Sequence, residues 1–228
     1  MHEPERLLVV AHGTAAPEGT ATTERLVADI AAARPGVPVE YCYLDVAEPS
    51  LPRALATLSG PTVLVPLLLS TGYHVQTDIP RAVGGRPDVR IARHLGPHPL
   101  LVDALVDRLR EEDGAPAAAT VLVGTGSSRP DAAAELRATA DLLGTRLGRP
   151  VPVLTMADDL KARLGELDRP AEVATYLLAP GRFVDVLRAA ATGIARVAAP
   201  IGLHPALVRL VWQRYDEAVA GERGAGVR

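Results

Sequence analysis

One pattern occurs twice in this chain, and it constrains the fold more than any other feature. Gly96-Pro97-His98-Pro99 in the first half is matched by Gly202-Leu203-His204-Pro205 in the second. Likewise Leu68-Leu69-Ser70-Thr71-Gly72 is matched by Leu177-Leu178-Ala179-Pro180-Gly181, and Val10-Ala11-His12-Gly13-Thr14 by Val123-Gly124-Thr125-Gly126-Ser127. The anchors keep their order at a repeat of roughly 110 residues, with a small drift of register that loops absorb. That period is too long for a solenoid and implies two similar domains.

Within each copy, short aliphatic runs without alternation separate helical patterns. Leu7 to Ala11, Val39 to Leu44, Val63 to Leu69 and Val89 to Ala92 read as strands buried on both faces. Helices are expected over Thr22 to Ala33, from Ser50 through Leu58, briefly after Asp78-Ile79-Pro80, and over Leu100 to Leu109. Glu111 to Ala119 breaks the rhythm as a linker. The alternation then restarts, with strands at Thr120 to Val123, Val151 to Thr155 and Val173 to Leu178. Helices follow over Ala132 to Leu147, Leu160 to Leu164, Val184 to Ala191 and Pro205 to Glu217. The expected fold class is α/β, with two tandem parallel-sheet domains, residues 1–113 and 114–228, and a cleft between them.

Composition removes several functions. The net charge of −3 argues against nucleic-acid binding by a basic surface, and one Trp, one Phe and five Tyr leave few platforms for stacking bases. A single cysteine, Cys42, excludes an internal disulfide and a Cys-based zinc cage, and fits a cytoplasmic address. No signal peptide is read at the N-terminus, where His2 is expected in a loose end, and no aliphatic run approaches the ~20 residues of a membrane helix. Gly124-Thr125-Gly126-Ser127-Ser128-Arg129 fails the dinucleotide pattern at Arg129, and neither a phosphate-binding GK[ST] loop nor a Gly-x-Ser-x-Gly elbow occurs.

In open parallel sheets, ligands bind beyond the carboxyl ends of the strands. His12 follows the first strand, Asp45 the second and His74 the third, so all three are expected at one rim. Two imidazoles and a carboxylate there suit a divalent metal, and a neutral imidazole is a competent proton acceptor. The second copy acts as an internal control. It has Thr125 where the first has His12, Phe183 where it has His74, and Ala157 near the place of Asp45. Residues needed only to hold the fold should recur, and these do not. His98 and His204 do recur, each before a proline that opens a helix, and read as structural.

Ala11-His12-Gly13-Thr14, Tyr43-Leu44-Asp45-Val46-Ala47-Glu48-Pro49 and Val65-Pro66-Leu67-Leu68-Leu69-Ser70-Thr71-Gly72-Tyr73-His74, with Asp78-Ile79-Pro80 and Leu95-Gly96-Pro97-His98-Pro99, together resemble the sirohydrochlorin chelatases. These are the class II metal chelatases of siroheme and cobalamin synthesis. The resemblance spans essentially the whole first half, and the second half looks like the partner domain of the long two-domain form. It implies an ATP-independent enzyme that inserts Fe²⁺ or Co²⁺ into sirohydrochlorin. His12 and His74 would bind the metal and act in catalysis, with Asp45 as a further ligand, direct or through water. The family often has Glu at the position of Asp45. Thr14, Ser70, Thr71, Gly72, Arg81 and Arg129 are expected to contact the anionic tetrapyrrole, with Arg86 and Arg182 also near the inferred rims. Two imidazoles also suit Ni²⁺ or Zn²⁺. No organic cofactor, nucleic acid or membrane is implied, and a monomer fits because the two halves supply a pseudo-dimer. The competing readings are a tetrapyrrole or metal carrier without turnover and a chelatase for another metal or ring.

Overall fold

The computed structural model describes residues 5–114 and 116–225, so His2 lies outside the described residues. Its elements run β1 (Arg6–Ala11), α1 (Pro17–Ala33), β2 (Val39–Tyr43), α2 (Leu51–Thr57), β3 (Thr62–Leu67), α3 (Ile79–Val83), β4 (Val89–Ile91), α4 (Pro99–Arg110), β5 (Ala119–Gly124), α5 (Pro130–Leu147), β6 (Val153–Thr155), α6 (Leu160–Gly165), β7 (Ala171–Tyr176), α7 (Arg182–Ala191), β8 (Ala195–Val197) and α8 (Pro205–Ala225). A π-helical turn, His74–Asp78, runs directly into α3. Two four-stranded sheets form, both wholly parallel, with orders β2-β1-β3-β4 and β6-β5-β7-β8. The expected fold class is observed. No helix among the described residues is long and apolar enough to cross a membrane.

The aliphatic runs are explained by burial on both faces. In the first sheet Leu8, Val10 and Leu64 pack with Leu51, Leu55, Ile79 and Val83 of α2 and α3. Leu7, Val9, Val63 and Val65 alternate with them and are equally inaccessible. Cys42 belongs to the same core, and burial pushes its thiol up to about 12, which leaves it inert at neutral pH. Pro66 is tolerated in β3 because β4 is paired only with Thr62 to Leu64 and has ended before Pro66. The second sheet repeats the plan, with Val121, Val123 and Val173 against Leu160, Leu164, Leu187 and Ala191. The sequence reading missed β8, whose three residues are only half-buried and carry Arg196 at their centre.

The compact units are not the contiguous halves. One comprises the chain up to Leu95 together with Leu207 onward, and the other spans Gly96–Ala206. This corrects the expected division at 113/114: each unit takes its last helix from the other half of the sequence. The packing of those helices gives the reason. α4 lies against β7 and α5. α8 is tied to the first sheet: Trp212 donates to the Ile30 carbonyl and Tyr215 to that of Glu5. Arg214, only 3% exposed, donates to the carbonyls of His94 and Leu95 and pairs with Glu217. Arg108 of α4 repeats this clamp in the other unit, donating to Ile201 and Leu203 carbonyls and pairing with Glu111.

His98 and His204 are the helix caps their repetition implied. The Leu100 N–H donates to His98 Nδ1 and the Ala206 N–H to His204 Nδ1, each at 3.2 Å. Losing a side-chain N-cap costs about 1 kcal/mol. His98→Ala is therefore expected to lower the melting temperature by ~2–4 °C without loss of turnover. Unchanged melting with lost turnover would reverse this assignment.

Candidate functional site

β1 and β3 are neighbours in the first sheet, but the chain leaves β1 toward β2 on one side and returns to β3 on the other. Such a reversal opens a crevice beyond the carboxyl ends of the strands. His12 follows β1 directly, and His74 begins the π turn after β3. Their rings meet edge to face with centroids 4.7 Å apart.

Backbone constraints hold His12 in place. The Leu44 N–H donates to the Ala11 carbonyl and the Asp45 N–H to that of His12, extending the β1–β2 ladder past the strand ends. Gly13 has φ +98°, and a Cβ there would lie 1.8 Å from the Asp45 carbonyl oxygen, so only glycine fits. Val46, a β-branched residue at φ +64° and 64% exposed, carries strain in the same loop.

The hydrogen bonds identify which nitrogen each ring presents. His12 Nδ1 lies 3.1 Å from the Gly13 carbonyl, and His74 Nδ1 lies 2.8 Å from Asp78 Oδ2. A carbonyl and a carboxylate can only accept, so both Nδ1 atoms carry a proton, and in the neutral rings both Nε2 atoms present a lone pair. In that form the pair offers two nitrogen ligands or bases. His12 is exposed and His74 about one-third exposed, so both are open to solvent-borne ions.

Asp45 does not join them. Its Oδ1 accepts the Val46 N–H at 2.8 Å, within its own turn. Among the described residues, no three His, Cys, Asp or Glu side chains gather closely enough to hold a metal ion.

The other expected contacts divide. Thr14 Oγ1 accepts the Ala16 N–H and its carbonyl accepts the Thr20 hydroxyl, so Thr14 shapes the entry to α1. Ser70 is half-buried, and Thr71 is buried with its hydroxyl accepting from Gln76 Nε2 at 3.0 Å. Gly72 stands open, with nothing within 4 Å of a Cβ position. Arg81 is exposed, 3.5 Å from the Tyr73 hydroxyl. Arg129 caps the start of α5 in the other unit, its backbone N–H donating to Ser127 Oγ. Arg182 is an exposed residue at the start of α7. Arg86 is structural instead: it donates to the carbonyls of Leu55 and Leu58 and pairs with Asp88, whose carboxyl it holds below the usual range. Two residues escaped the sequence reading as functional. Tyr73 is 55% exposed and its ring stands 6.4 Å from that of His74. Asp78 was visible only as the lead into α3, although its spacing of four from His74 on a helical turn was a usable signal.

Two parallel sheets of the same strand order, with an imidazole pair at the switch point of the first, define a two-unit chelatase-like α/β protein. The solved structure of the sirohydrochlorin chelatase SirB from Bacillus subtilis subspecies spizizenii, in complex with cobalt, shares that fold with a TM-score of 0.79, over 96% of this chain and 97% of that one at 24% identity. Residues 6–112 match the CbiX family model. The sirohydrochlorin ferrochelatase of Bacillus subtilis is 29% identical over 252 aligned residues, covering 96% of this chain and 94% of that protein. A sirohydrochlorin ferrochelatase of Priestia megaterium is 30% identical over 154 residues, and there the match covers 61% of this chain and 57% of the relative. The aligned region thus spans little more than half of the Priestia protein.

Proposed function

We propose that this chain inserts a divalent metal ion, Fe²⁺ or Co²⁺, into sirohydrochlorin. The observation that carries this reading is the His12–His74 pair, with rings 4.7 Å apart and both Nε2 atoms unencumbered at the sheet's switch point. Relatives named for iron insertion and a cobalt-bound structural neighbour support the choice of chemistry.

Insertion of M²⁺ into a tetrapyrrole sheds bound water, exchanges protein ligands for ring nitrogens and releases two protons. Two neutral imidazoles hold such an ion firmly enough to displace water, while a site without a third protein ligand leaves positions open for the ring nitrogens. As the metal passes to the ring, a freed Nε2 lone pair accepts one pyrrole proton and solvent water takes the other. The exposed Arg81 and the open backbone at Gly72, both in the segment after β3, would meet the ring's carboxylates. Ni²⁺ and Zn²⁺ also suit the donor pair. No organic cofactor is required, and the protein is proposed to act as a cytoplasmic monomer.

Anaerobic incubation of the protein with sirohydrochlorin and Fe²⁺ or Co²⁺, followed by absorption of the ring, tests the reading. Multiple turnovers per protein are expected. A spectral change that stops at one equivalent identifies a carrier, and no change above the uncatalysed rate removes the proposal.

A further inference from the structure

We infer that Asp78 is a positioning residue for His74, and that the π turn exists to place it there. The inference rests on the metal-insertion reading for its consequence, but its geometry stands alone. Asp78 Oδ2 lies 2.8 Å from His74 Nδ1, on the ring edge opposite the free Nε2. Imidazoles that bind metals are commonly held this way: a carboxylate on the second nitrogen sets the tautomer and stops the ring rotating. His12 has only the carbonyl of its neighbour Gly13 for this purpose, so the two rings are held differently.

The second unit shows what the π turn accomplishes. From the end of β3 at Leu67 to Gly72 is the same distance in sequence as from the end of β7 at Tyr176 to Gly181. The helices that follow anchor in the core through Ile79 and Val83 in one unit and through Leu187 and Ala191 in the other, all buried and all at a spacing of four. Yet Ile79 stands seven positions after Gly72, whereas Leu187 stands six after Gly181. The first unit therefore carries one extra residue, and it lies where the backbone widens to a π turn, with the Ile79 N–H bonded to the His74 carbonyl. An ordinary α-helix, Arg182–Ala191, occupies the place in the second unit. π turns of this kind are typically single-residue insertions kept at functional sites.

The insertion separates two demands. Ile79 and Val83 keep their core contacts, while His74 and Asp78, one turn apart, both stay at the outer rim. Counting back from the core anchors, Asp78 corresponds to Val186, and from the glycine, His74 corresponds to Phe183. These are 45% and 51% exposed, so both positions face outward in the copy that has neither imidazole nor carboxylate. The acid and the histidine are lost together.

The test uses full-length Asp78→Ala and Asp78→Asn. In the metal-free protein, ¹⁵N resonances of His74 above its titration range report the tautomer directly. The wild type should show Nδ1–H. Asp78→Ala should populate Nε2–H, and Asp78→Asn, whose amide oxygen still accepts, should largely restore Nδ1–H. Asp78→Ala should raise KM for the metal by ~10-fold or more, with a smaller effect on kcat and recovery in Asp78→Asn. An unchanged His74 tautomer and an unchanged KM in Asp78→Ala would overturn the inference. Should Asp78→Ala fail to fold, Asp78→Leu takes its place: a populated Nε2–H tautomer with raised KM supports the role, and wild-type tautomer with wild-type KM overturns it. A wild type that turns over nothing defeats the metal-insertion reading, while the tautomer measurement still decides the role of Asp78.

Discussion

Removal of either imidazole, as His12→Ala or His74→Ala, is expected to cut metal insertion by ~100-fold or more while the melting temperature moves by no more than about 2 °C. The small stability effect follows from exposure: His12 is on the surface, and His74 bonds only to the side chain one turn on. The large activity effect follows from having two donors and no third. With one imidazole gone, a single nitrogen holds the ion, too weakly to displace its water. Because the two rings act as one device, the double variant should be little worse than either single one. Steady-state turnover beside a thermal melt checks the pair. Wild-type turnover in one variant would remove that ring from the site.

The second large effect concerns the exchanged helices. A fragment ending at residue 113 contains every strand of the first sheet but lacks α8. It is expected to show no cooperative melting as a monomer and to bind hydrophobic dyes. Leu207, Leu210, Val211, Trp212 and Tyr215 are all buried. At about 1.5–3 kcal/mol for each such side chain, their loss is on the order of 10 kcal/mol, comparable with the whole stability of a domain. The fragment keeps α4, which carries the same Arg and Glu anchors as α8, so any ordered form should be a dimer in which α4 takes the place of α8. A chain joining residues 5–95 to 207–225 should instead fold alone. Calorimetry with sedimentation of the two chains decides, and a cooperative transition from the monomeric fragment would refute the exchange.

Much of the fold was legible because burial on both faces leaves a local mark. Runs such as Leu7 to Ala11 cannot alternate if no face meets water, and their spacing by helical patterns implies parallel strands. The duplication made one further step possible, since His12 and His74 differ from Thr125 and Phe183 while His98 and His204 recur. The shift of α1 to begin at Pro17 rather than Thr22 is a boundary effect: Pro17 opens the first turn and Glu18 favours its positive end. The hydrogen bond of Asp45 was not legible, because motif position places a backbone but not a carboxylate, one oxygen of which here accepts the Val46 N–H one residue away. Arg86 was misjudged for a related reason: a loop arginine was assigned to the rim, and its partners, the carbonyls of Leu55 and Leu58, come from a different helix.

By itself the sequence determined which segments are strands, β8 excepted, that the plan is doubled, and which half carries the imidazole pair, because each of these is written in local hydrophobic pattern or in the contrast between copies. Tertiary structure alone decided which helix covers which sheet, that the two rings meet at 4.7 Å, and that an extra residue in a π turn sets a carboxylate behind one of them. Those facts depend on contacts between residues distant in sequence, or on a one-residue difference in how a helix is anchored in its core, and neither leaves a periodic trace along the chain.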